Sequence, residues 1–418
     1  MRGLFQFFRA LLDHATRGDW RYHLWMGFLT ILMVLGTYAY TLQLEHGLAV
    51  TGMNDHVSWG LYISNFTFLV GMAAAAVMLV MPAYVLHDVD FPRAVLIGEG
   101  VAVAALLMCL GFVTVDLGGP ARAWHLLPFV GYFNWPNSML TWDVLVLNGY
   151  LALNLLIPFY LLYSKFHGRE AQKKKYLPFV LLSVFWAVAI HLVTAFLYAG
   201  LPARPYWNNA LLGPRFLASA FAAGPAFILL LLATIRRVTA YPIGQAIFQK
   251  LALITTVAAQ INLIMLASEL FKEFYFPTEH SKSAIYLFFG LEGHHALVGW
   301  IWTALSLNLL ATIVLTLNPL RRKAMVLYPA VAVLFLSIWI EKGMGLVVPG
   351  FIPSPLGEVV DYSPSGVEIM VTLGLWAMGL FVLTLLVKVA IPIELGQLRA
   401  PQNQSLDEKN QTVEVALS

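Results

Sequence analysis

The chain has 418 residues, of which 60% are hydrophobic and 11% are charged, and its formal net charge is +3. Soluble domains carry about 25% charged residues, so this composition excludes an ordinary soluble domain and indicates an integral membrane protein. The small positive charge reflects basic residues in loops, whose distribution sets the orientation of a membrane protein, and it gives no reason to expect nucleic-acid binding.

Ten apolar runs are long enough to cross a bilayer as helices. A hydrocarbon core of about 30 Å needs roughly 20 helical residues. The runs cover residues 22–43, 57–86, 94–117, 140–163, 176–200, 215–238, 246–271, 294–317, 324–344 and 366–391. The alternating pattern of a membrane β-barrel is missing from the sequence. We therefore predict an all-α integral membrane protein with about ten transmembrane helices.

The two ends of the chain are more polar than the spans. Residues 1–21 are too charged for a cleaved signal peptide and predict an amphipathic helix on the cytoplasmic surface. Residues 392–418 predict a polar cytoplasmic tail. Of the 25 Lys and Arg residues, 19 fall on the side of the N-terminus and six on the opposite side. Because basic loops mark the cytoplasmic side, we expect a multi-pass protein of the cell membrane with both termini in the cytoplasm.

A short motif occurs twice just beyond a predicted span. GGPARAWH, at residues 118–125, aligns with GLPARPYW, at residues 200–207. The match predicts an internal duplication that gives two related four-helix bundles plus flanking helices. We expect a first bundle within residues 22–200, a second within 201–344, an outer loop at 345–365 and a last transmembrane helix at 366–391.

The residues available for redox chemistry are few. Cys109 is the only cysteine, so the chain cannot hold an iron–sulfur cluster or a covalently attached c-type haem by itself. His191 is the only histidine well inside a predicted span, which disfavours a b-type cytochrome, although an outer haem stays open as an alternative. We predict no metal site in this chain.

Ionisable side chains within the membrane are costly and are functional candidates for that reason. One group converges on the outer membrane boundary: Asp116, Arg122, His125, Trp142 and Asp143. Two interpretations are open. The residues form either an ion pair that fixes a loop, or a pocket in which aromatic walls hold a redox-active ring while acidic and imidazole groups exchange protons with it.

The long outer segments suggest a partner. Residues 118–139, 272–293 and 345–365 are rich in proline, glycine and aromatic residues. They serve either as caps for helix ends or as a docking surface for an extracytoplasmic protein.

Several separated stretches resemble one protein family. They are residues 59–73 (WGLYISNFTFLVGMA), 116–125 (DLGGPARAWH), 138–150 (SMLTWDVLVLNGY), 202–221 (PARPYWNNALLGPRFLASAF) and 341–355 (EKGMGLVVPGFIPSP). Together they resemble the NrfD/PsrC family, the membrane subunits of polysulfide reductase and its relatives. Within that family the ten-span form is most similar to the DsrP type of the DsrMKJOP complex, with the Qrc, Hmc and alternative complex III types as near alternatives.

The resemblance implies a quinone site on the outer side and a particular set of partners. Menaquinone or menaquinol would be the bound substrate, with no haem or iron–sulfur cluster in this chain. Electrons would pass to or from an extracytoplasmic iron–sulfur ferredoxin-like subunit, beside other membrane and cytochrome subunits of the complex. The chain would then be a non-haem subunit of a quinone-dependent oxidoreductase complex, in dissimilatory sulfur metabolism.

Carried onto this sequence, the resemblance gives a set of pocket residues. The quinone-binding residues would be His56, Trp59, Tyr62, Asn65, Asp116, Arg122 and Trp142. Asp143 and His125 would exchange the protons, and Asp116 with Arg122 would shape the loop. Some family members place a histidine within the second helix, where this chain has Tyr62, Asn65 and Phe66.

Proton translocation would need a path inside the membrane. Its predicted members are Glu99, His191, Glu269 and Glu273. Polar residues Thr194, Gln260, Asn262 and Ser268 are further candidates. The alternative is that these are buried polar groups that hydrogen-bond between helices and carry no protons. Two other functional classes stay open: a membrane anchor for redox proteins, and a proton or solute transporter, neither with a quinone site.

Overall fold

The computed structural model describes residues 2–401 of the chain. Within that range the α-helices, in chain order, are α1 (Arg2–Thr16), α2 (Trp20–His46), α3 (Leu61–Ala73), α4 (Val77–Val80), α5 (Pro92–Asp116), α6 (Met139–Phe166), α7 (Lys173–Ala199), α8 (Leu212–Val238), α9 (Gln245–Tyr275), α10 (Lys282–Phe289), α11 (Val298–Thr316), α12 (Asn318–Arg321), α13 (Ala324–Lys342), α14 (Met344–Val347) and α15 (Gly366–Glu394). No strand occurs among these residues.

Ten helical segments are long and apolar enough to span a membrane, as predicted. They are formed by α2, by α3 with α4 (Leu61–Tyr84), by α5, α6, α7, α8, α9 and α11, by α13 with α14 (Ala324–Phe351), and by α15. The eighth span starts four residues later than the predicted 294, because Leu291 and His294 form a bridged turn before α11 begins at Val298. The predicted polar tail at 392–418 lies outside the described residues beyond 401.

The amphipathic segment at the N-terminus forms a separate helix. A short break after Thr16 ends α1, and the Asp19 carboxylate then caps α2 by accepting a 3.0 Å hydrogen bond from the Tyr22 N–H. Phe7 is buried against Phe166 and Ile393, so α1 is held to the ends of α6 and α15.

The spans pack as two rings of four helices. In the first bundle α3 contacts α5, α5 contacts α6, α6 contacts α7, and α7 closes on α3. In the second bundle α8, α9, α11 and α13 contact one another in the same circular order. The flanking helices α2 and α15 pair with each other, and α15 also packs against α5.

Small residues allow the closest helix contacts. A Cβ added to Gly224 on α8 would lie 2.2 Å from the Cβ of Ala75, so the two bundles meet with almost no space between them. A Cβ on Gly36 of α2 would lie 2.6 Å from the Cα of Gly374 on α15. Such contacts are how membrane helices gain van der Waals packing, since lipid provides no hydrophobic drive for helix association.

The connections at one end of the bundles are longer than those at the other. We define the long-loop face by residues 51–60, 117–138, 200–211, 276–297 and 352–365, and the N-terminal face as the opposite end, where α1 lies.

Candidate functional site

The first bundle has a buried carboxylate near its long-loop face. Asp143 is 1% exposed and lies four residues into α6, about 6 Å below the start of the helix. The Thr194 hydroxyl of α7 donates a 2.8 Å hydrogen bond to its Oδ1. The carboxylate therefore faces the inside of the bundle and is held there by the neighbouring helix.

One face of α7 presents three polar side chains to the bundle interior. His191, Thr194 and Tyr198 are spaced at i, i+3 and i+7, which places them on a single helix face. The Tyr198 hydroxyl is hydrogen-bonded to the Thr67 hydroxyl of α3. His191 Nδ1 lies 2.8 Å from the Ala187 carbonyl, and since a carbonyl only accepts, Nδ1 donates. His191 Nε2 is buried without a partner within the described residues.

An aromatic wall covers this polar face toward the long-loop face. Trp59 stacks on Trp207 with ring centroids 5.7 Å apart, and the edge of Tyr198 meets Trp59 at 5.6 Å. Phe351 completes the group at 5.7 Å from Trp59. We call Asp143, Thr194, Tyr198, Thr67 and Trp59 the Asp143 site. The structure thus brings predicted Trp59 and Asp143 into one neighbourhood, linked through α7.

His125 lies in the loop that follows α5. It belongs to a short 3-10 helix, Pro120–Leu126, and its ring is stacked between Trp124 and Tyr132, with centroids 3.9 Å and 5.4 Å away. Among residues 2–401 no hydrogen bond or ion pair joins His125 to Asp143. Trp142, which precedes Asp143, donates a 2.8 Å bond to the Pro136 carbonyl.

Asp116 faces a different set of partners from the ones we predicted. It ends α5 beside Glu368 of α15, and its Oδ1 is buried without a hydrogen-bond partner in the described part of the chain. Arg122 is exposed, and no ion pair between it and Asp116 occurs within residues 2–401. Nearby, Tyr62 donates a 2.8 Å bond to Gln43 Oε1. Tyr62 and Asp116 thus lie toward α2 and α15, on the flank of the first bundle.

Glu368, at the start of α15, accepts hydrogen bonds from two loop segments on this side of the first bundle. It accepts hydrogen bonds from the Tyr362 hydroxyl at 2.7 Å and from the Gly52 N–H at 2.6 Å. Burial, and next the Glu368 carboxylate, raise the pKa of Tyr362, so the phenol stays protonated and remains a donor. The loop at residues 51–60 is therefore tied to the start of α15.

The remaining predicted pocket residues have structural partners. Asn65 Oδ1 accepts from the indole N–H groups of Trp339 at 3.0 Å and Trp376 at 2.8 Å, and so connects α3 to α13 and α15. His56 pairs with Glu358 at 3.3 Å in the loops. Both residues lie close to the long-loop face, and these bonds tie them to other segments of the chain.

The predicted path residues fall in separate places. Glu99 is buried in the first bundle toward the N-terminal face, with its Oε2 unpartnered among the described residues. Glu269 and Glu273 lie on α9 in the second bundle, and Glu273 pairs with Lys272 at 3.3 Å. Of the four, only His191 shares a helix face with the Asp143 site.

The second bundle contains a buried charge cluster centred on Arg215. The guanidinium of Arg215, from α8, pairs with Glu269 of α9 and, at 2.6 Å, with Glu341 of α13. A cavity next to this cluster is lined by Glu273 and Tyr206 as well. Burial, and next the charge of Glu269, raise the pKa of Tyr206, which therefore stays protonated.

Lys342 lies next to this cluster without joining it. Its Nζ donates a 3.2 Å hydrogen bond to the Phe216 carbonyl and lies 4.2 Å from the centre of the Phe216 ring. The same Nζ is 3.3 Å from the position of a Cβ on Gly71 of α3. Lys342 is therefore buried where the two bundles meet.

Sequence reasoning misses the partners of these acidic residues. Thr194 is a candidate for the proton path and not for the quinone site, and Tyr198 could have been found from its spacing to His191 and Thr194 on α7. Arg215 counts among the six outer basic residues because it lies close to a predicted span end, although its charge is buried between two glutamates.

Comparison with known proteins gives a consistent picture. The family model described as "Polysulphide reductase, NrfD" matches residues 49–344. A putative dimethyl sulfoxide reductase membrane subunit of Halobacterium salinarum is 25% identical over 396 residues, covering 85% of this chain and 88% of that protein. The Hdr-like menaquinol oxidoreductase integral membrane subunit of Archaeoglobus fulgidus is 24% identical over 368 residues, covering 84% and 88%. The menaquinone reductase integral membrane subunit of Nitratidesulfovibrio vulgaris is 26% identical over 246 residues, covering 52% and 55%.

Proposed function

This chain belongs to the NrfD polysulphide reductase family, and from that premise we propose that it is the quinone-interacting membrane subunit of a respiratory redox complex. The observation that carries the proposal is the buried Asp143 carboxylate, bonded to Thr194 beneath an aromatic wall. Relatives named as menaquinol oxidoreductase and menaquinone reductase subunits support menaquinone or menaquinol as the substrate.

The proposed chemistry needs one group that takes or gives protons at membrane depth. When a quinol is oxidised, its two hydroxyl groups lose two protons and the ring loses two electrons. Asp143 accepts a proton from a quinol hydroxyl and delivers it toward the long-loop face, and His125 exchanges the protons with the outside. Thr194 keeps the carboxylate pointing into the bundle. In the reverse direction the same groups return protons to the quinone.

The electrons need an acceptor outside this chain. We propose an extracytoplasmic iron–sulfur ferredoxin-like subunit, bound at the long-loop face, which receives the two electrons in single steps. Exposed aromatic side chains of the loop after α5, such as Phe129, Tyr132 and Trp135, support docking at this face. In this proposal the long-loop face is the outer side of the cell membrane, and both termini are cytoplasmic.

The finer assignment concerns the complex. We propose a DsrP-type subunit acting in dissimilatory sulfur metabolism, beside other membrane and cytochrome subunits. We also propose that protons cross the membrane during turnover, with Glu99, His191, Glu269 and Glu273 as candidate carriers.

The test measures binding of a fluorescent menaquinol analogue to the purified complex. Binding is monitored through the quenching of the analogue's fluorescence. Asp143→Asn and His125→Ala are compared with matched exposed controls on the same face, Asp55→Asn and His280→Ala. We expect Asp143→Asn and His125→Ala to lose binding of the analogue, or to lose the reduction of the partner's iron–sulfur clusters by quinol. The two control variants should keep both. Unchanged binding and turnover in all four variants would rule out the Asp143 site, and a complex without any quinol binding would leave the chain as a membrane anchor.

A further inference from the structure

Polar side chains of the second bundle follow one line through the membrane. It starts at Glu269 and Glu341, which share Arg215. Asn308 of α11 donates a 3.0 Å hydrogen bond to Glu341 Oε2, and the Thr312 hydroxyl lies 3.3 Å from Asn308 Oδ1. All of these groups face the interior of the bundle.

The line continues toward the N-terminal face. The buried Thr312 lies one turn before the end of α11 at that face. Beyond it, Thr316 is exposed, and Gln260 Nε2 donates to its hydroxyl at 2.8 Å on the outer surface of the bundle. We call the following buried residues the polar column: Glu341, Asn262, Asn308, Thr312 and Thr255.

Polar groups cover much of the thickness of a bilayer in the second bundle. On α9, Thr255 and Glu269 are 14 residues apart, which corresponds to about 21 Å at 1.5 Å per residue. A hydrocarbon core is about 30 Å thick. The column and the charge cluster at its end therefore extend over about two thirds of that thickness.

Two atoms in the column are buried and have no partner among the described residues. They are Asn262 Oδ1 and Thr255 Oγ1, both on residues that are fully buried. A buried polar atom without a hydrogen bond is costly, and in most proteins such an atom is bonded to an ordered water molecule. These two atoms thus point to water inside the second bundle.

The long-loop end of the column is a buried charge cluster. Arg215 lies between Glu269 and Glu341, so two carboxylates share one guanidinium, and beyond it is the cavity lined by Glu269 and Glu273. Carboxylates at this end can accept a proton that arrives from the column.

We propose that water molecules occupy the polar column and that the second bundle conducts protons along them, between the N-terminal face and the Arg215 cluster. Each water accepts one proton and passes one on, so one proton enters at the N-terminal face for each one that reaches Glu341. The inference rests on the proposed function for its driving force, which is quinol oxidation in the first bundle. It places Asn262, Asn308, Thr312 and Thr255 along the water, between the N-terminal face and the proposed carrier Glu269.

The experiment measures protons moved per electron by the complex in vesicles that hold a pH-sensitive dye. Asn308→Leu and Thr312→Val nearly keep the side-chain volume but remove polar groups from the column. Thr372→Val is the matched control, because the Thr372 hydroxyl is also buried and unpartnered within the described residues but lies on α15. We expect both column variants to move fewer protons per electron, down to the number that the quinol itself releases. Their turnover rate in the presence of an uncoupler should stay unchanged. Thr372→Val should match the unsubstituted complex in both measurements.

Equal proton yields in all three variants and the unsubstituted complex would overturn the column. A second measurement does not depend on turnover: cryo-electron microscopy of the complex at a resolution that shows water. Density within hydrogen-bond distance of Asn262 Oδ1 and Thr255 Oγ1 is expected, and dry surroundings at both atoms would equally overturn the proposal. If the unsubstituted complex oxidises no menaquinol, the proposed function fails, and the water density alone decides on the column.

Discussion

Glu341 and Lys342 are neighbours in sequence, yet their side chains serve different parts of the molecule. Glu341 accepts hydrogen bonds from Arg215 and Asn308 inside the second bundle. Lys342 donates to the Phe216 carbonyl and approaches Gly71 of the first bundle. The last turn of α13 therefore joins the buried charge cluster of one bundle to the wall of the other.

The stability of the folded protein should depend strongly on Arg215, the one arginine of the charge cluster. Arg215→Met leaves the carboxylates of Glu269 and Glu341 buried without their cation, and removing one partner of a buried ion pair costs about 3–5 kcal/mol. We expect a clear loss of stability, measured by thermal unfolding in detergent. Adding Glu269→Gln and Glu341→Gln to this variant removes the unpaired charges and should restore much of the loss. A triple variant as unstable as Arg215→Met would contradict this account.

Thr194 should act through Asp143 as a positioning residue. Thr194→Val keeps the shape of the side chain but removes the 2.8 Å hydrogen bond to the carboxylate. Hydrogen bonds to charged groups contribute about 1.5–3 kcal/mol, so kcat for quinol oxidation should fall roughly tenfold or more, with little change in KM. Thr194→Ser retains the hydroxyl and should recover most of the rate. If both variants lose activity equally, packing and not the hydrogen bond explains the effect.

Asn65 should be needed for stability through the two tryptophans that it holds. Asn65→Leu leaves the indole N–H groups of Trp339 and Trp376 without their acceptor. Two unsatisfied buried donors should cost roughly 2–4 kcal/mol, seen as a lower unfolding temperature. Trp376→Phe removes one of these donors together with its bond and should cost less. Should Asn65→Leu instead keep full stability but lose quinone binding, Asn65 contacts the substrate.

The contact between α2 and α15 should tolerate no side chain. Gly374→Leu places a branched side chain where Gly36 is only 2.8 Å from an added Cβ, and overpacking of this kind costs about 1–3 kcal/mol or more. Gly27→Leu on the same pair is the control, because nothing lies within 4 Å of a Cβ at that position. The yield of monodisperse complex after purification distinguishes them. Equal yields would show that α2 and α15 can separate without harm.

The ten spans could be predicted because length and hydropathy alone decide whether a helix crosses a membrane. The rotation of each helix could not be predicted in the same way. Lipid and the bundle interior are both apolar, so a span such as α5 shows no polar face that marks its exposed side. Sequence reasoning therefore groups Asp116 with Arg122, its neighbour along the chain, whereas among residues 2–401 the two form no ion pair and Asp116 lies near Glu368 of α15.

Part of the candidate site was visible in the sequence. Asp143 stands out because carboxylates are rare inside spans, and the structure buries it in the first bundle, while its role in the site stays a prediction. The link from Asp143 to Thr194 needed the structure, since the two residues are 51 positions apart on different helices. The same holds for Arg215 and Glu341, whose pairing depends on how α8 and α13 are placed in the ring.

The pairing of α2 with α15 also has a consequence for how the protein is made. The ribosome makes α2 well before α15, so α2 exists before the helix that covers Gly36. Until then α2 has few partners, because it packs mainly on α15. A chain that stops before residue 366 lacks α15 and leaves this glycine surface without its partner helix. The pairing of α2 with α15 therefore cannot form until most of the other spans have been made.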